Sequence, residues 1–121
     1  MVRVIATLVL AIVLSSPSYA QQLGLVVADA QQALDPLSAM PVVTIRLSAE
    51  SARDFAEFTT ENVHTTIDVL IDDQVVVSPF IQTPLTGGFM QVSGIDSEAQ
   101  ASTIAKKLRL GDAHLSVSPS R

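Results

Sequence analysis

The residues best suited to chemistry in this chain are two histidines, a run of carboxylates, an aspartate pair and a glycine pair. His64 and His114 lie far apart, and neither sits in the H-E-x-x-H or H-x₃₋₅-H spacing of a zinc site. Glu50, Asp54, Glu57 and Glu61 recur at helical intervals, so they share one side of a helix and read as its solvated face. Asp72-Asp73 offers oxygens to a cation, but a calcium loop needs many more at set spacing, and turn chemistry accounts for the pair. Thr86-Gly87-Gly88 offers backbone N–H groups to an anion, yet it lacks the lysine and the following helix of a phosphate loop. No G-x-S-x-G elbow activates a serine. No cysteine is present, which excludes thiol catalysis, zinc–thiolate sites and iron–sulfur clusters. The expectation is a protein that is not an enzyme and carries no metal or cofactor.

The amino terminus reads as an export signal, residues 1–20. Arg3 supplies a positive start, Val4 to Leu14 is a nearly all-apolar run, and Ser18 and Ala20 place small residues at −3 and −1 of a cleavage site after Ala20. The run is about eleven residues, short of the ~20 that span a bilayer. An uncleaved anchor is the alternative reading. No cysteine follows the run, so a bacterial lipoprotein anchor is excluded. The localisation expected is periplasmic, with no membrane span after cleavage. The formal net charge of −5 grows by one more negative unit when Arg3 is removed. An acidic chain with its basic residues gathered at Lys106, Lys107 and Arg109 repels phosphate backbones, so nucleic acid is not an expected partner. Without Trp, and with its one Tyr in the signal, the domain also lacks the usual stacking platforms for bases and sugars.

The remaining pattern is that of one small domain. Leu23 to Ala30 is an apolar patch suited to a first strand, and Asp35 to Pro41 is a loop whose prolines hold the preceding residues out of the helical region. Residues 21–40 are thus expected as an N-terminal strand and linker, 41–117 as the main domain and 118–121 as a disordered tail. Val42 to Leu47 alternates as a half-buried strand. Ser48 caps a helix that buries Ala52, Phe55, Ala56, Thr59 and Val63. Thr66–Ile71 and Gln74–Phe80 form a hairpin about Asp72-Asp73. Asp accepts positive φ less readily than Gly, so a turn longer or looser than two residues is expected there. Pro79 and Pro84 send Ser78 to Leu85 along a sheet edge or out of the sheet. Phe89 to Val92 is a short strand. Asp96 or Ser97 caps the next helix, Ser97 with Gln100 fitting a capping box, and that helix buries Ala101, Ile104, Ala105 and Leu108 and stops at Gly111. His114 to Val117 is a last strand. The fold class expected is α+β: a mostly antiparallel sheet of four or five strands in β-α-β-β-β-α-β order, with two helices packed on one face.

From Pro41 to about Leu115 the chain resembles the periplasmic head domain of SecD, a subunit of the bacterial protein-export machinery. The resemblance is carried by the strand Pro41–Leu47, the helix with Ala52, Phe55, Thr59 and Asn62, the hairpin Val69–Asp73 with Val75, Val76, Ser78, Pro79 and Ile81, the run Pro84–Gly88, the segment Gln91–Gly94 and the helix ending Leu108–Gly111. Asp73 stands where that family commonly has Gly. The resemblance implies a detached head module with its own export signal, lacking the membrane segments in which the family's motor function resides. It also implies a polypeptide or protein partner, with the export translocase among the candidates. Edge strands can accept an extended peptide, and Phe80, Ile81, Thr86, Gly87, Gly88, Phe89 and Met90 form the candidate interaction surface. Prolines that merely block edge aggregation are the competing explanation for that segment. A sensor of small molecules or anions, built on the Thr86–Gly88 turn, is the alternative function.

Overall fold

The computed structural model describes residues 22–120, so the expected export signal and Arg121 lie outside the described residues. Chain order is β1 (Leu23–Leu25), β2 (Val27–Leu34), β3 (Pro41–Leu47), α1 (Ala49–Glu61), β4 (Ile67–Ile71), β5 (Gln74–Val77), β6 (Phe89–Val92), α2 (Glu98–Leu110) and β7 (Leu115–Pro119). From β3 onward this is the β-α-β-β-β-α-β order read from the sequence, and the fold is α+β.

The strands do not form the single sheet expected. They divide into a four-stranded sheet, ordered β1-β7-β4-β5, and a three-stranded sheet, ordered β2-β3-β6, and every pairing is antiparallel. The division arises at Val26, which splits the apolar N-terminal patch in two. Its N–H donates to Ser51 Oγ (2.8 Å) and its C=O accepts from the Ser48 N–H (2.9 Å). The backbone is thereby tied to the start of α1 while β1 pairs with β7 and β2 pairs with β3. The segment expected as a linker, Asp35 to Met40, is the turn of the β2–β3 hairpin, closed by Asp35 N–H to Met40 C=O at 2.9 Å. Both helices carry the chain from the small sheet to the large one, α1 from β3 to β4 and α2 from β6 to β7.

Local sequence explains each helix. Ser48 is extended (φ −61°, ψ 161°) and its side chain accepts from the Ser51 N–H, so one otherwise unpaired donor of the first turn is satisfied. The buried stripe of α1 is centred on Ser51, Phe55 and Thr59, with Ala52, Phe58 and Val63 packed beside it. Ser97 caps α2 in the same way through the Gln100 N–H (3.1 Å), and Gly111 ends it at φ +81°, a conformation natural only to glycine. α2 lies over β2 and β3 and buries Ala101, Ala105 and Leu108. Two alanines on that face let the helix approach the strands closely.

One apolar core joins both layers. It takes Val43, Ile45 and Leu47 from β3, Phe55 from α1, Ile67 and Val69 from β4, Val92 from β6, Leu108 from α2, and Leu115 and Val117 from β7. The carboxyl terminus is also held more firmly than a disordered tail would be. β7 runs to Pro119, and the Ser120 N–H donates to the Thr66 C=O at 3.1 Å.

The Asp72-Asp73 turn is tighter than expected. β4 ends at Ile71 and β5 begins at Gln74, with φ +52° at Asp72 and +68° at Asp73, the two positive values of a type I′ hairpin. Hydrogen bonds hold the aspartates in this costly conformation. Asp72 Oδ1 accepts from the His114 N–H (2.9 Å), the Asp72 N–H donates to the His114 C=O (2.8 Å), and Asp73 Oδ1 accepts from Gln22 Nε2 (3.1 Å). The bond from Gln22 is exposed and weak, whereas the pair of bonds to His114 anchors the turn to the segment entering β7. Asp73→Gly is therefore expected to stabilise the domain by about 0.5–1 kcal/mol, because relief of the left-handed conformation outweighs the added freedom of the unfolded chain. Asp72→Gly loses the acceptor for His114 and is expected to give no gain. Paired urea denaturation of the two variants measures the difference.

Candidate interaction surface

The segment between β5 and β6 is fixed at both ends and in the middle. At its start, the Ile81 N–H donates to the Thr65 C=O (2.9 Å), the Ile67 N–H donates to the Pro79 C=O (3.0 Å), and Phe80 forms a bridge with Thr66. Residues 79–81 thus continue along β4 beyond the end of β5. Midway, the Leu85 N–H donates to Thr59 Oγ1 at 2.9 Å, and Thr59 is fully buried on α1. At its end, the Gly88 C=O accepts from the Leu47 N–H at 2.9 Å. The loop therefore runs back along α1, from Thr59 toward Ala52, a distance of about 10 Å along the helix axis.

Gly88 sets how closely the loop can lie. It is buried, its φ is +75°, and a Cβ added to it would sit 3.0 Å from Ala52 Cβ. Gly87 is different: it is exposed, and the nearest atom to an added Cβ is a Phe89 ring carbon at 3.9 Å. The glycine pair thus has one structural member and one free member. The space over Gly88 is taken by Ala52, so the turn does not have the form of an open anion cradle.

Burial sorts the sequence-derived candidates. Ile81 is 2% exposed and belongs to the core, and Gly88 is buried against α1, so neither is available to a partner. Phe80 is 56% exposed and Phe89 is 60% exposed, while Thr86 and Gly87 are exposed between them and Met90 is half-buried. Alternation along each short run places Ile81 and Met90 against the interior and their aromatic neighbours outward. Phe89 lies directly opposite Arg46 on β3, on the face of the small sheet where Asp29, Gln31 and Thr44 line a shallow depression. The sequence reading did not include Arg46 in the candidate surface. The alternation of Thr44 and Arg46 with buried Val43 and Ile45 was the signal for their outward side, but only strand pairing brings them beside Phe89.

The chemistry-bearing residues are not assembled. His64 precedes β4, and His114 is bonded to the turn that follows it, so the length of β4, roughly 16 Å, separates them. Glu50, Asp54, Glu57 and Glu61 are all exposed on α1. Among the described residues, no cluster of three or more His, Cys, Asp or Glu side chains is arranged to hold a metal ion.

Residues 9–113 match the family described as SecDF, P1 head subdomain. The chain belongs to this SecDF head family. The match begins well before Pro41, where the resemblance was read from sequence, and takes in β1 and β2. Protein translocase subunit SecD of Thermobaculum terrenum is 36% identical over 85 residues, covering 70% of this chain and 16% of that protein. Protein translocase subunit SecDF of Thermus thermophilus is 33% identical over 88 residues, covering 73% of this chain and 12% of that protein. The chain thus spans less than a fifth of the length of these curated relatives. A solved structure of a SecDF membrane component that enhances protein export superposes with a TM-score of 0.67 at 32% identity, covering 78% of this chain and 44% of that one. SecDF in its super-membrane-facing form superposes with a TM-score of 0.65 at 32% identity, over 69% of this chain and 11% of that one. Among the described residues of this head-family chain, no helix is long and apolar enough to cross a membrane.

Gly88→Ala is expected to cost about 2–3 kcal/mol, from the left-handed conformation and the contact with Ala52, while Gly87→Ala stays within about 0.5 kcal/mol. A double-mutant cycle with Ala52→Gly, read by chemical denaturation, isolates the contact from the backbone penalty.

Proposed function

We propose that this chain is an exported, non-catalytic head module that binds polypeptide on the periplasmic side of the protein-export machinery. Membership of the SecDF head family is the observation that carries the reading, because two relatives named as translocase subunits and a SecDF structure described as enhancing protein export share this fold and about a third of its residues. Export rests on the signal-like residues 1–20, with Arg3 before the apolar run and small residues at Ser18 and Ala20.

The surface that serves this role is the strip from Phe80 through Thr86 and Gly87 to Phe89 and Met90, with Arg46 beside Phe89. Exposed aromatic rings lose little conformational entropy on contact and bury much area, which suits them to transient adhesion of varied sequences. The loop between them is held by Thr59 and Gly88, so the strip is presented on a firm support. Acidic character disfavours nucleic acid as the bound chain.

Photoreactive residues placed singly at Phe80 and Phe89 are expected to capture a reduced, carboxamidomethylated and hence permanently unfolded polypeptide. The same group at Leu110, which is 60% exposed at the end of α2, is expected to capture severalfold less. Equal yields at all three positions would mean non-specific adhesion and would reject the reading.

A further inference from the structure

The geometry points to the free edge of β6 as the place where an extended segment of non-native polypeptide adds to the small sheet, through the backbone groups of Phe89 and Gln91. This inference rests on the polypeptide-binding reading and names the atoms that would do the binding.

Antiparallel ladders alternate between pairs that exchange hydrogen bonds and pairs whose N–H and C=O groups point away from each other. The bond from the Leu47 N–H to the Gly88 C=O places Leu47 opposite Gly88 in a bonded pair. The register then runs without a shift through Arg46↔Phe89, Ile45↔Met90, Thr44↔Gln91 and Val43↔Val92. Met90 and Val92 therefore bond to β3, while Phe89 and Gln91 turn their backbone groups to the open side.

The opposite edge of the same sheet checks this assignment. The alternation requires Arg46 and Thr44 to bond toward β2, which leaves Ala30, opposite Ile45, and Gln32, opposite Val43, with their groups pointing outward. At Ala30 both groups are found capped. The Ala30 N–H donates to Asp29 Oδ1 at 2.9 Å, and the Ala30 C=O accepts from Arg109 Nη1 at 2.8 Å. A register irregularity between Val27 and Asp29 distorts that edge further.

The large sheet is guarded as well. β1 has three residues and leads into Val26, whose N–H and C=O are used by Ser51 and Ser48. β5 pairs with a register shift that distorts its edge. Among the described residues, β6 is a four-residue edge with neither bulge, proline nor capping side chain, and the comparable edge, β1, is only three residues long. Small residues flank it, Gly87 and Gly88 before and Ser93 and Gly94 after, and nothing lies within 4 Å of a Cβ added at Gly94. An added strand would set its alternate side chains beside Phe89 on one face, with Arg46 one strand further in, and beside Met90 on the other. Recognition by backbone groups ignores side-chain identity, which is what a binder of many unfolded sequences needs.

The test uses the isotope-labelled chain with the carboxamidomethylated polypeptide, whose alkylated thiols add no charge. Binding is expected to slow amide exchange at Phe89 and Gln91 and to leave the β2 and β5 edges unchanged. Gln91→Pro removes only an outward N–H and is expected to weaken binding about tenfold, whereas Gln91→Ala keeps that N–H and stays within about twofold. If Gln91→Pro does not fold, the amide exchange of the parent chain decides. Polypeptide captured without protection of Phe89 and Gln91 would overturn the edge assignment and leave the binding reading intact, while no binding at all would overturn both. Protection already present without polypeptide would also overturn it. A dimer in sedimentation would then assign the edge to a second copy, and a monomer would assign it to the chain's own N-terminal residues.

Discussion

Both sheets lean on the same apolar core, and that core has no covalent reinforcement, since the chain contains no cysteine. A domain of this size holds together without disulfides only if few apolar side chains are wasted on solvent. Two of the three inner strands contribute most to meeting that demand. β3 buries Val43, Ile45 and Leu47, and β7 buries Leu115, Ser116 and Val117. Each is flanked by strands on both sides, so its backbone is satisfied by neighbours as its side chains fill the interior. The helices then act as crossovers that bind the layers together, with Phe55 and Leu108 reaching into the shared interior.

Once the core is closed, the remaining problem is the sheet edges, which expose backbone groups able to pair with any passing chain. The structure handles the edges unequally. β2 carries a register shift and is capped at Ala30 by Asp29 and Arg109, β5 is distorted by a register shift, and β1 is short. Arg109 comes from the last turn of α2, where its charge also suits the helix dipole, so one side chain serves the helix and the strand. β6 and the loop before it stand apart from this pattern, with exposed aromatics instead of guards.

The candidate segment Phe80–Met90 shows how far sequence reaches into the site. Apolar residues, prolines and glycines marked it as an edge or loop, and Phe80 and Phe89 are indeed on the surface. Ile81 and Gly88 were grouped with them because neighbours in sequence look alike, yet both are buried. Ile81 faces the core because residues 79–81 stay paired beside β4, and Gly88 faces Ala52 because the loop doubles back along α1. Pro79 accepts the Ile67 N–H through its C=O, so its ring nitrogen faces β4 and not the solvent edge. The Asp72-Asp73 turn failed as a local judgement for a similar reason: its strain is offset by His114, more than forty residues away.

The sequence by itself determined the helices, their caps, the hairpin positions, the α+β class and the scattering of the groups that could do chemistry. Those features are written in spacings of a few residues, which is the range over which helix periodicity, strand alternation and capping act. The tertiary structure decided that the strands form two sheets, that Val26 is the point of division, and which edge remains open. Those outcomes depend on pairing between distant segments, β1 with β7 and β3 with β6, and on single side chains such as Arg109 arriving from another element. No local pattern records which partner a strand will meet.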